Sequence, residues 1–215
     1  MANKEHLDLV LQGLEAWNKF RRTQPDVRPD LSGADLSGYD FTRMDFTKTD
    51  FTGSDLSDTY MLQANLEEAN LTEANLTEAD IIDANLIKAV LTSAKLFMTD
   101  LSGTGMVRAN LEGADLSRAN MTRTALPWGI LRECKLIGAN LKMSDLREAD
   151  LTNADLSQAN LQDASLTGTI FRGTNLQTTR NISLELLGKA KTLRSAQLNQ
   201  IAQETIETNF PHLLK

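Results

Sequence analysis

The residues whose chemistry could support catalysis are few and far apart in this chain. His6 and His212 lie near opposite ends of the sequence, and Cys134 is the only cysteine. Acid–base catalysis by histidine needs a second group within hydrogen-bond reach, and metal sites need clustered ligands at short spacing. The sequence contains neither arrangement and has no glycine-rich phosphate loop. We therefore expect no enzymatic activity, no cofactor and no metal ion.

Cys134 and the carboxylates follow a regular pattern rather than a catalytic one. Cys134 stands at a position of a five-residue repeat where Ala is usual, which favours a buried small residue over a nucleophile. A single cysteine also suits a reducing compartment. Most Asp residues recur at one fixed position, so we expect exposed carboxylates without the burial that tunes acid–base pairs. The sequence shows no secretory segment and no apolar run of membrane-spanning length. A cytoplasmic location is the expectation.

The pattern is a repeat of five residues. From Leu31 to Leu176, thirty successive positions at intervals of five are Leu, Phe, Met or Ile, and we call these the central residues. Two positions earlier, twenty-seven of thirty residues are Ala, Ser, Thr, Cys or Gly, the exceptions being Pro29, Tyr39 and Met44. Five residues advance a helical side chain by about 500°, and an odd step along a strand changes face. The chain must therefore turn once per repeat, and four repeats close a square coil.

Segments such as ADLSG at 34–38, ANLTE at 69–73 and ANLQD at 159–163 resemble the pentapeptide-repeat family. The resemblance implies a right-handed quadrilateral β-helix, an all-β solenoid, in which the central residue and the small residue two positions earlier point inward. It extends over residues 29–178, which gives about seven and a half coils, and one side of the coil becomes a column made only of Leu. Side chains fill this interior, so we expect no internal ligand site.

Both ends of a solenoid expose apolar core and therefore need caps. Residues 1–28 are predicted to form an N-terminal capping helix, over 4–22, and a linker. Residues 179–215 are predicted to form a helical C-terminal cap, with Ser183 capping a short helix and a second helix near Ile201. The final NFPHLLK either extends this cap or makes a dimer contact; otherwise we expect a monomer.

The repeat region is acidic. Residues 29–179 contain twelve Lys and Arg against twenty-two Asp and Glu, whereas the whole chain has a net charge of −7. This charge disfavours direct binding to nucleic acid or to an anionic membrane. The resemblance also implies an alternative function, because some family members mimic DNA and bind type II topoisomerases. The acidic surface for such mimicry would comprise Asp35, Asp40, Asp45, Asp50, Asp55, Glu67 and Glu68. Alternatively, these Asp residues simply satisfy the repeat.

One stretch, TALPWGILREC at 124–134, departs from the polar composition of the outward positions. Twenty-residue stacking groups it with earlier apolar residues into one patch, predicted at Ile87, Val90, Val107, Pro127, Trp128 and Ile130. Trp is a frequent anchor in protein interfaces, so this corner is the predicted site for a protein partner. The alternative is that Trp128 lies flat against Arg108, one coil earlier. The function predicted from the sequence is a non-enzymatic scaffold or regulatory protein that binds a protein of unknown identity.

Overall fold

The computed structural model describes residues 2–215, and residues 30–180 of it form a right-handed quadrilateral β-helix. Each side is built from single-residue parallel β-bridges that join positions twenty apart, as in Asp35 to Asp55 and Asp55 to Asn75. From Asp30 to Asn175 the bridging residue is always the one before a central residue. The predicted twenty-residue register is therefore the register of the structure, and it holds without interruption from Asp30 to Arg180.

A tight turn follows the central residues and forms the corners of the coil. The amide of Ala34 donates to the carbonyl of Leu31 at 3.2 Å, and the same bond recurs between Ala74 and Leu71 at 3.1 Å. The second residue after the central one has a positive φ in each repeat from Gly33 to Gly173. One left-handed residue at this place is the backbone of a type II turn. Because non-glycine residues fill most of these corners, stacking must outweigh their intrinsic preference.

The interior is closed on all four sides. All thirty central residues are at most 2 % exposed, including the column that consists only of Leu from Leu36 to Leu176. The small residues two positions earlier are buried with them, except Tyr39, whose ring is too large for that place and is 44 % exposed. Most buried hydroxyls among them donate to carbonyls of the coil, as Thr104 Oγ1 does to Ile81 O at 2.6 Å, whereas Thr49 Oγ1 has no partner among the described residues. Apart from Thr49, the polar groups of the core make their hydrogen bonds within it.

Two N-terminal helices pack on the first coil: α1, Lys4–Leu11, and α2, Leu14–Thr23. The sequence predicted one helix here, but Gly13 has a φ of 92° and ends it. The break buries Trp17 completely and leaves Leu11 and Leu14 about two-fifths exposed, at 43 % and 40 %. The ring centroid of Trp17 lies 5.3 Å from that of Phe46, and its Nε1 donates to the carbonyl of Asp45 at 2.8 Å.

The C-terminal segment combines helices with more coil. It contains α3 (Leu184–Gly188), α4 (Gln200–Asn209) and a 3-10 helix, η1 (Pro211–Leu214). Ser183 caps α3, as expected, by accepting from the amide of Leu186. Between α3 and α4 the chain returns to the β-helix, because Ile170 bridges to Thr192 and Asn175 to Gln197. The spacing there is twenty-two residues rather than twenty, so α3 occupies one side of a longer coil, a feature that the five-residue count did not reveal.

Candidate partner-binding corner

The corner at Leu126–Gly129 is a regular turn despite its unusual residues. The amide of Gly129 donates to Leu126 O at 3.1 Å, and Trp128 has a φ of 57°. Elsewhere the first residue after the central one commonly donates its amide to an Asp or Asn two positions earlier, as Ser117 does to Asp115 at 3.0 Å. Ala125 offers no such acceptor, so a Pro without an N–H loses no bond at 127. Proline also suits the second position of a type II turn.

Gly129 fits tightly beneath this turn. A Cβ at residue 129 would lie 3.1 Å from Leu126 Cδ2 and 3.3 Å from Leu131 Cδ1. The central Leu side chains have therefore taken the space that an Ala methyl fills in other repeats. Pro127 is buried as well, which differs from the exposed position that the pattern predicted for it. Pro127 shapes this corner but does not offer surface to a partner.

Trp128 is the exposed feature of the corner. Its side chain is 55 % exposed, and the guanidinium carbon of Arg108 lies 5.8 Å from the ring centroid. The amide of Trp128 donates to Arg147 O at 2.9 Å, which fixes the backbone against the next coil. The contact with Arg108 is the one that the alternative interpretation expected. It holds one face of the ring by a cation–π interaction but leaves more than half of the residue in solvent.

A groove of about 210 Å³ adjoins the Trp128 ring and is lined by Arg147, Glu148 and Thr167. Arg147 is held in place because its Nε and Nη2 donate to the two carboxylate oxygens of Asp145 at 2.8 and 2.7 Å. The same hydrogen bonds lower the pKa of Asp145 and raise that of Arg147. Glu148 lies close over Gly168, where any Cβ would overlap its carboxylate. The groove is therefore walled by side chains with defined surroundings.

The other residues predicted for the patch are only partly brought together. Val107 stacks directly on Pro127 and Ile87 on Val107, because Arg108 N donates to Pro127 O and Lys88 N to Val107 O. Val90 and Ile130 lie in one column, but Asn110 stands between them and bridges to both. All four aliphatic side chains are half-buried. The structure thus shows one exposed ring with a half-buried apolar strip beside it.

The predicted acidic surface is broken by hydrogen bonds and cations. Asp35 and Asp40 are exposed, whereas Asp50 and Asp55 are half-buried and accept from Asn70 and Asn75 in the next coil, at 3.2 and 2.9 Å. Ser57 lowers the pKa of Asp55 and Thr42 that of Asp40, in both cases by hydrogen bonding to the carboxylate. The hydrogen bonds that favour the charged forms of Asp40 and Asp55 thus also shape the turns that follow these residues.

Three further members of that surface have structural partners. Asp45 lies beneath α2, with its amide donating to Asn18 Oδ1 at 2.9 Å and its carboxylate 3.9 Å from Arg21 Nε. Glu68 sits between two lysines, Lys88 at 3.0 Å and Lys48 at 3.8 Å, and Lys88 lowers its pKa. Glu67 accepts from Asn85 Nδ2 at 3.4 Å. A continuous run of free carboxylates is not formed at these positions.

Cys134 and His6, two of the residues first considered for catalysis, make contacts that hold the fold together. Cys134 is 1 % exposed, its Sγ lies 2.9 Å from Leu111 O, and burial raises its pKa to about 12. His6 accepts from the amide of Asp30 through Nδ1 at 3.0 Å, which ties α1 to the first coil. Within residues 2–215 no group of three or more His, Cys, Asp or Glu side chains is placed to hold a metal ion. No helix in the same range is long and apolar enough to cross a membrane.

A second apolar surface was not predicted. It consists of the exposed Tyr39, Tyr60 and Leu62 and the half-buried Ile82, in the first three coils, and we call it the tyrosine patch. The signal was present in the sequence, because Tyr60 and Leu62 flank the central residue Met61 at positions that are usually Asp or Asn and Ser or Thr. It was missed because these residues are scattered over more than forty positions and no local motif marks them.

Comparison with known proteins defines the class. A family model described as "Pentapeptide repeats" matches residues 30–61, 61–96, 94–128, 130–168 and 144–180. Together these segments cover well over half of the chain, so the protein belongs to the pentapeptide-repeat family. The family predicted from the Ala-(Asp/Asn)-Leu pattern is confirmed, and so is the quadrilateral β-helix. No curated protein matches the chain.

Solved structures support the fold. The full-length form of QnrB1, a plasmid-mediated fluoroquinolone resistance protein, is similar with a TM-score of 0.58 and 17 % identity over 83 % of this chain and 95 % of that one. A trypsin-treated variant of QnrB1 gives 0.57 and 18 %, over 86 % and 96 %. HetL from Nostoc sp. strain PCC 7120, involved in heterocyst differentiation regulation, is 27 % identical over 93 % and 91 %, with a TM-score of 0.38. At these similarities the QnrB1 structures show the fold and nothing more.

Proposed function

We propose that this protein is a non-enzymatic scaffold or regulatory protein that binds a protein partner at the Trp128 corner. The single observation that carries the proposal is the half-exposed Trp128 ring on a rigid corner, beside a groove with ordered polar walls. Trp is prominent among residues that contribute strongly to protein interfaces, and a preorganised side chain loses little entropy on binding. Members of this family are generally structural or interaction proteins. A cytoplasmic location belongs to the same proposal.

The corner suits a partner that inserts an apolar side chain beside Trp128. Arg108 already covers one face of the ring, and the groove opens on the side of Arg147 and Glu148. Arg147 and Glu148 are both exposed, so a partner can reach their charges at the rim of the groove. Asp145 holds Arg147 in place, and Glu148 lies over Gly168. Rim charges chiefly affect the orientation and the association rate of a partner, whereas the Trp128 ring, once the partner covers it, supplies most of the affinity.

The experiment compares partner capture by the parent protein and by a Trp128→Ser/Val107→Ser variant from extracts of the native cell, at low and high salt. Met143→Ser is the matched control, since Met143 is also at a left-handed corner, with a φ of 59°, and is 46 % exposed. We expect the double variant to fold normally and to lose partners that Met143→Ser retains. Identical partners for all three proteins would rule out this corner as the site.

The alternative function is an acidic decoy for a DNA-binding enzyme such as a type II topoisomerase. What favours it is the pair of exposed carboxylates at Asp35 and Asp40 at the N-terminal end of an acidic rod, with the pKa of Asp40 lowered by Thr42. The cations at Glu68 and the Asn donors to Asp50 and Asp55 weigh against a uniform DNA-like potential. A decoy would lose its partner steeply as salt rises, whereas a partner anchored on Trp128 would stay bound.

A further inference from the structure

We propose that the tyrosine patch docks a basic polypeptide segment whose Lys or Arg residues alternate with apolar side chains. The patch is distinct from the Trp128 corner, because Tyr60 and Leu62 flank the column of central residues that includes Met61, whereas Trp128 follows the next column, at Leu126. The two surfaces therefore occupy different sides of the coil, and a substitution in one leaves the other intact.

The four residues of the patch are contiguous. The amide of Tyr60 donates to Tyr39 O at 3.0 Å, and Gln63 N donates to Ile82 O at 2.9 Å, which places Ile82 one coil beyond Leu62. The side chains of Tyr39, Tyr60 and Leu62 are 44 %, 51 % and 37 % exposed. Three large apolar residues exposed side by side exceed the isolated apolar residues that are normal on a protein surface.

Carboxylates surround this patch. Tyr60 bridges to Asp40 on one side and to Asp80 on the other, so its ring lies between two acidic residues of the same column. Asp58 and Asp83 occupy the neighbouring corners and are exposed. Within residues 2–215 none of these four carboxylates forms an ion pair, although Asp115, Asp145 and Asp150 on other sides of the rod all do. The nearby cation Arg43 hydrogen-bonds through Nε to Gln63.

This combination selects the chemistry of the occupant. A nucleic acid or an acidic protein surface would bring like charges against Asp40, Asp58, Asp80 and Asp83, which is unfavourable. A Lys or Arg side chain can lie over the face of a tyrosine ring and contact a neighbouring carboxylate at the same time. It then makes a cation–π interaction and an ion pair with one cationic group. An apolar side chain between two such cations would cover Leu62 and Ile82. A basic segment with interspersed apolar residues satisfies both features of the patch.

The test uses the full chain and three fluorescein-labelled peptides: one alternates Lys with Leu, one has Glu in place of every Lys, and one has Ser in place of every Leu. Binding is measured by fluorescence anisotropy, and the site by amide chemical shifts of the ¹⁵N-labelled protein. The variant is Tyr60→Ser/Leu62→Ser. Its matched control is Met98→Ser/Ile137→Ser, which removes side chains of closely similar exposure, 47 % and 37 %, from another side.

We expect the Lys–Leu peptide to bind most tightly and to shift amides at 39–43, 58–63 and 80–83. The Tyr60→Ser/Leu62→Ser variant should weaken binding by about tenfold or more, with little effect of the control pair. The proposal is overturned if the Glu–Leu peptide binds equally well, if both variants lose affinity equally, or if the shifts lie elsewhere. Absence of measurable binding by the Lys–Leu peptide also overturns it. Since Trp128 is unchanged throughout, failure here leaves the Trp128 proposal standing.

Discussion

Asp115 and Leu116 are neighbours in the chain but belong to two regions under different constraints, the outside and the inside of the rod. Leu116 is fully buried in the all-Leu column, whereas Asp115 bridges between coils and lies 3.7 Å from the ammonium of Lys135. Inside, every central position along the rod is Leu, Phe, Met or Ile. Outside, the column that contains Asp115 includes Asp, Asn and Lys, and other columns include Tyr, Val and Arg.

This difference shows which residues carry information about function. An interior side chain must match the coil on either side, so its identity reports the fold. An outward side chain must only allow the turn and the bridge, so the coil tolerates many residues there. Trp128 and Tyr60 depart from the polar residues and glycines that usually fill the outward positions without any requirement of the fold, and both are more than half exposed. Departures on the outside are therefore the places where a function is to be sought.

The largest effect is expected from a charge in the interior. Leu116→Asp would place a carboxylate in a fully buried column with no cation beside it, which should cost roughly 4 kcal/mol or more, or prevent folding. Asp115→Ala is the control one residue away, and it should cost only about 1 kcal/mol, because its ion pair is exposed and the one hydrogen bond that it loses comes from the amide of Ser117. Urea unfolding followed by circular dichroism measures both. Equal losses of stability would contradict the distinction between inside and outside.

The next largest effect concerns the end of the interior. Trp17 is fully buried against Phe46, so Trp17→Ala should cost about 3–5 kcal/mol, whereas Leu14→Ala, at a residue 40 % exposed, should cost far less. Deletion of residues 1–24 should expose the aromatic end of the core and cause end-to-end association, measured by light scattering. A truncated chain that stays monomeric and equally stable would show that α1 and α2 are a detachable arm, not a cap.

The repeat was predictable because every five residues the chain buries the same kinds of side chain, a large apolar residue and a small residue two positions earlier. Leu116, Cys134 and the other inward residues recur at fixed steps of five, and the resemblance to the pentapeptide-repeat family assigned them to the interior. The caps were only partly predictable, because their contacts are made once. Gly13 could have indicated the break between α1 and α2, but the helical spacing from Leu7 to Trp17 outweighed it. The extra coil at Thr192–Gln197 was hidden because α3 adds two residues to the register.

The surface sites were less predictable than the interior. Stacking by twenty correctly aligned Ile87, Val107 and Pro127, and the same count places Asn110 between Val90 and Ile130, but it could not show that Pro127 is buried. Exposure depends on the lengths and directions of side chains in adjacent coils, and a sequence aligned at intervals of twenty residues does not give these directions. The tyrosine patch became visible for the same reason only when exposure and bridging were known together.

A smaller effect is expected from the buried thiol, and it depends on pH. Burial raises the pKa of Cys134 from its ordinary value of 9.0 to about 12, so the unfolded chain loses this proton first as pH rises. Stability should therefore fall above about pH 9, by at most about 1.4 kcal/mol per pH unit for this group. Cys134→Ala is the comparison, because Ala114 and Ala154 occupy the same place in adjacent coils. An identical pH dependence of unfolding for parent and variant would refute the prediction.

The smallest effect is expected at the exposed ion pair beside the Trp128 groove. Arg147 hydrogen-bonds to both carboxylate oxygens of Asp145 and lowers its pKa, so the stabilisation is present above the unfolded pKa of Asp145 and is lost as pH falls through the folded one. Arg147→Gln should barely move the urea midpoint at neutral pH, because the Arg147 side chain is 58 % exposed and water screens the pair.

Parent and Arg147→Gln should become equally stable in acid, below the folded pKa of Asp145, and NMR titration should show that this pKa rises in the variant. Since Arg147 also lines the groove, the same substitution separates the contribution of the outer surface to stability from its contribution to partner binding. A partner that binds at Trp128 should associate with altered affinity although the fold is nearly unchanged. A loss of stability as large as that of Trp17→Ala would instead mean that this outward pair contributes to folding as an interior contact does.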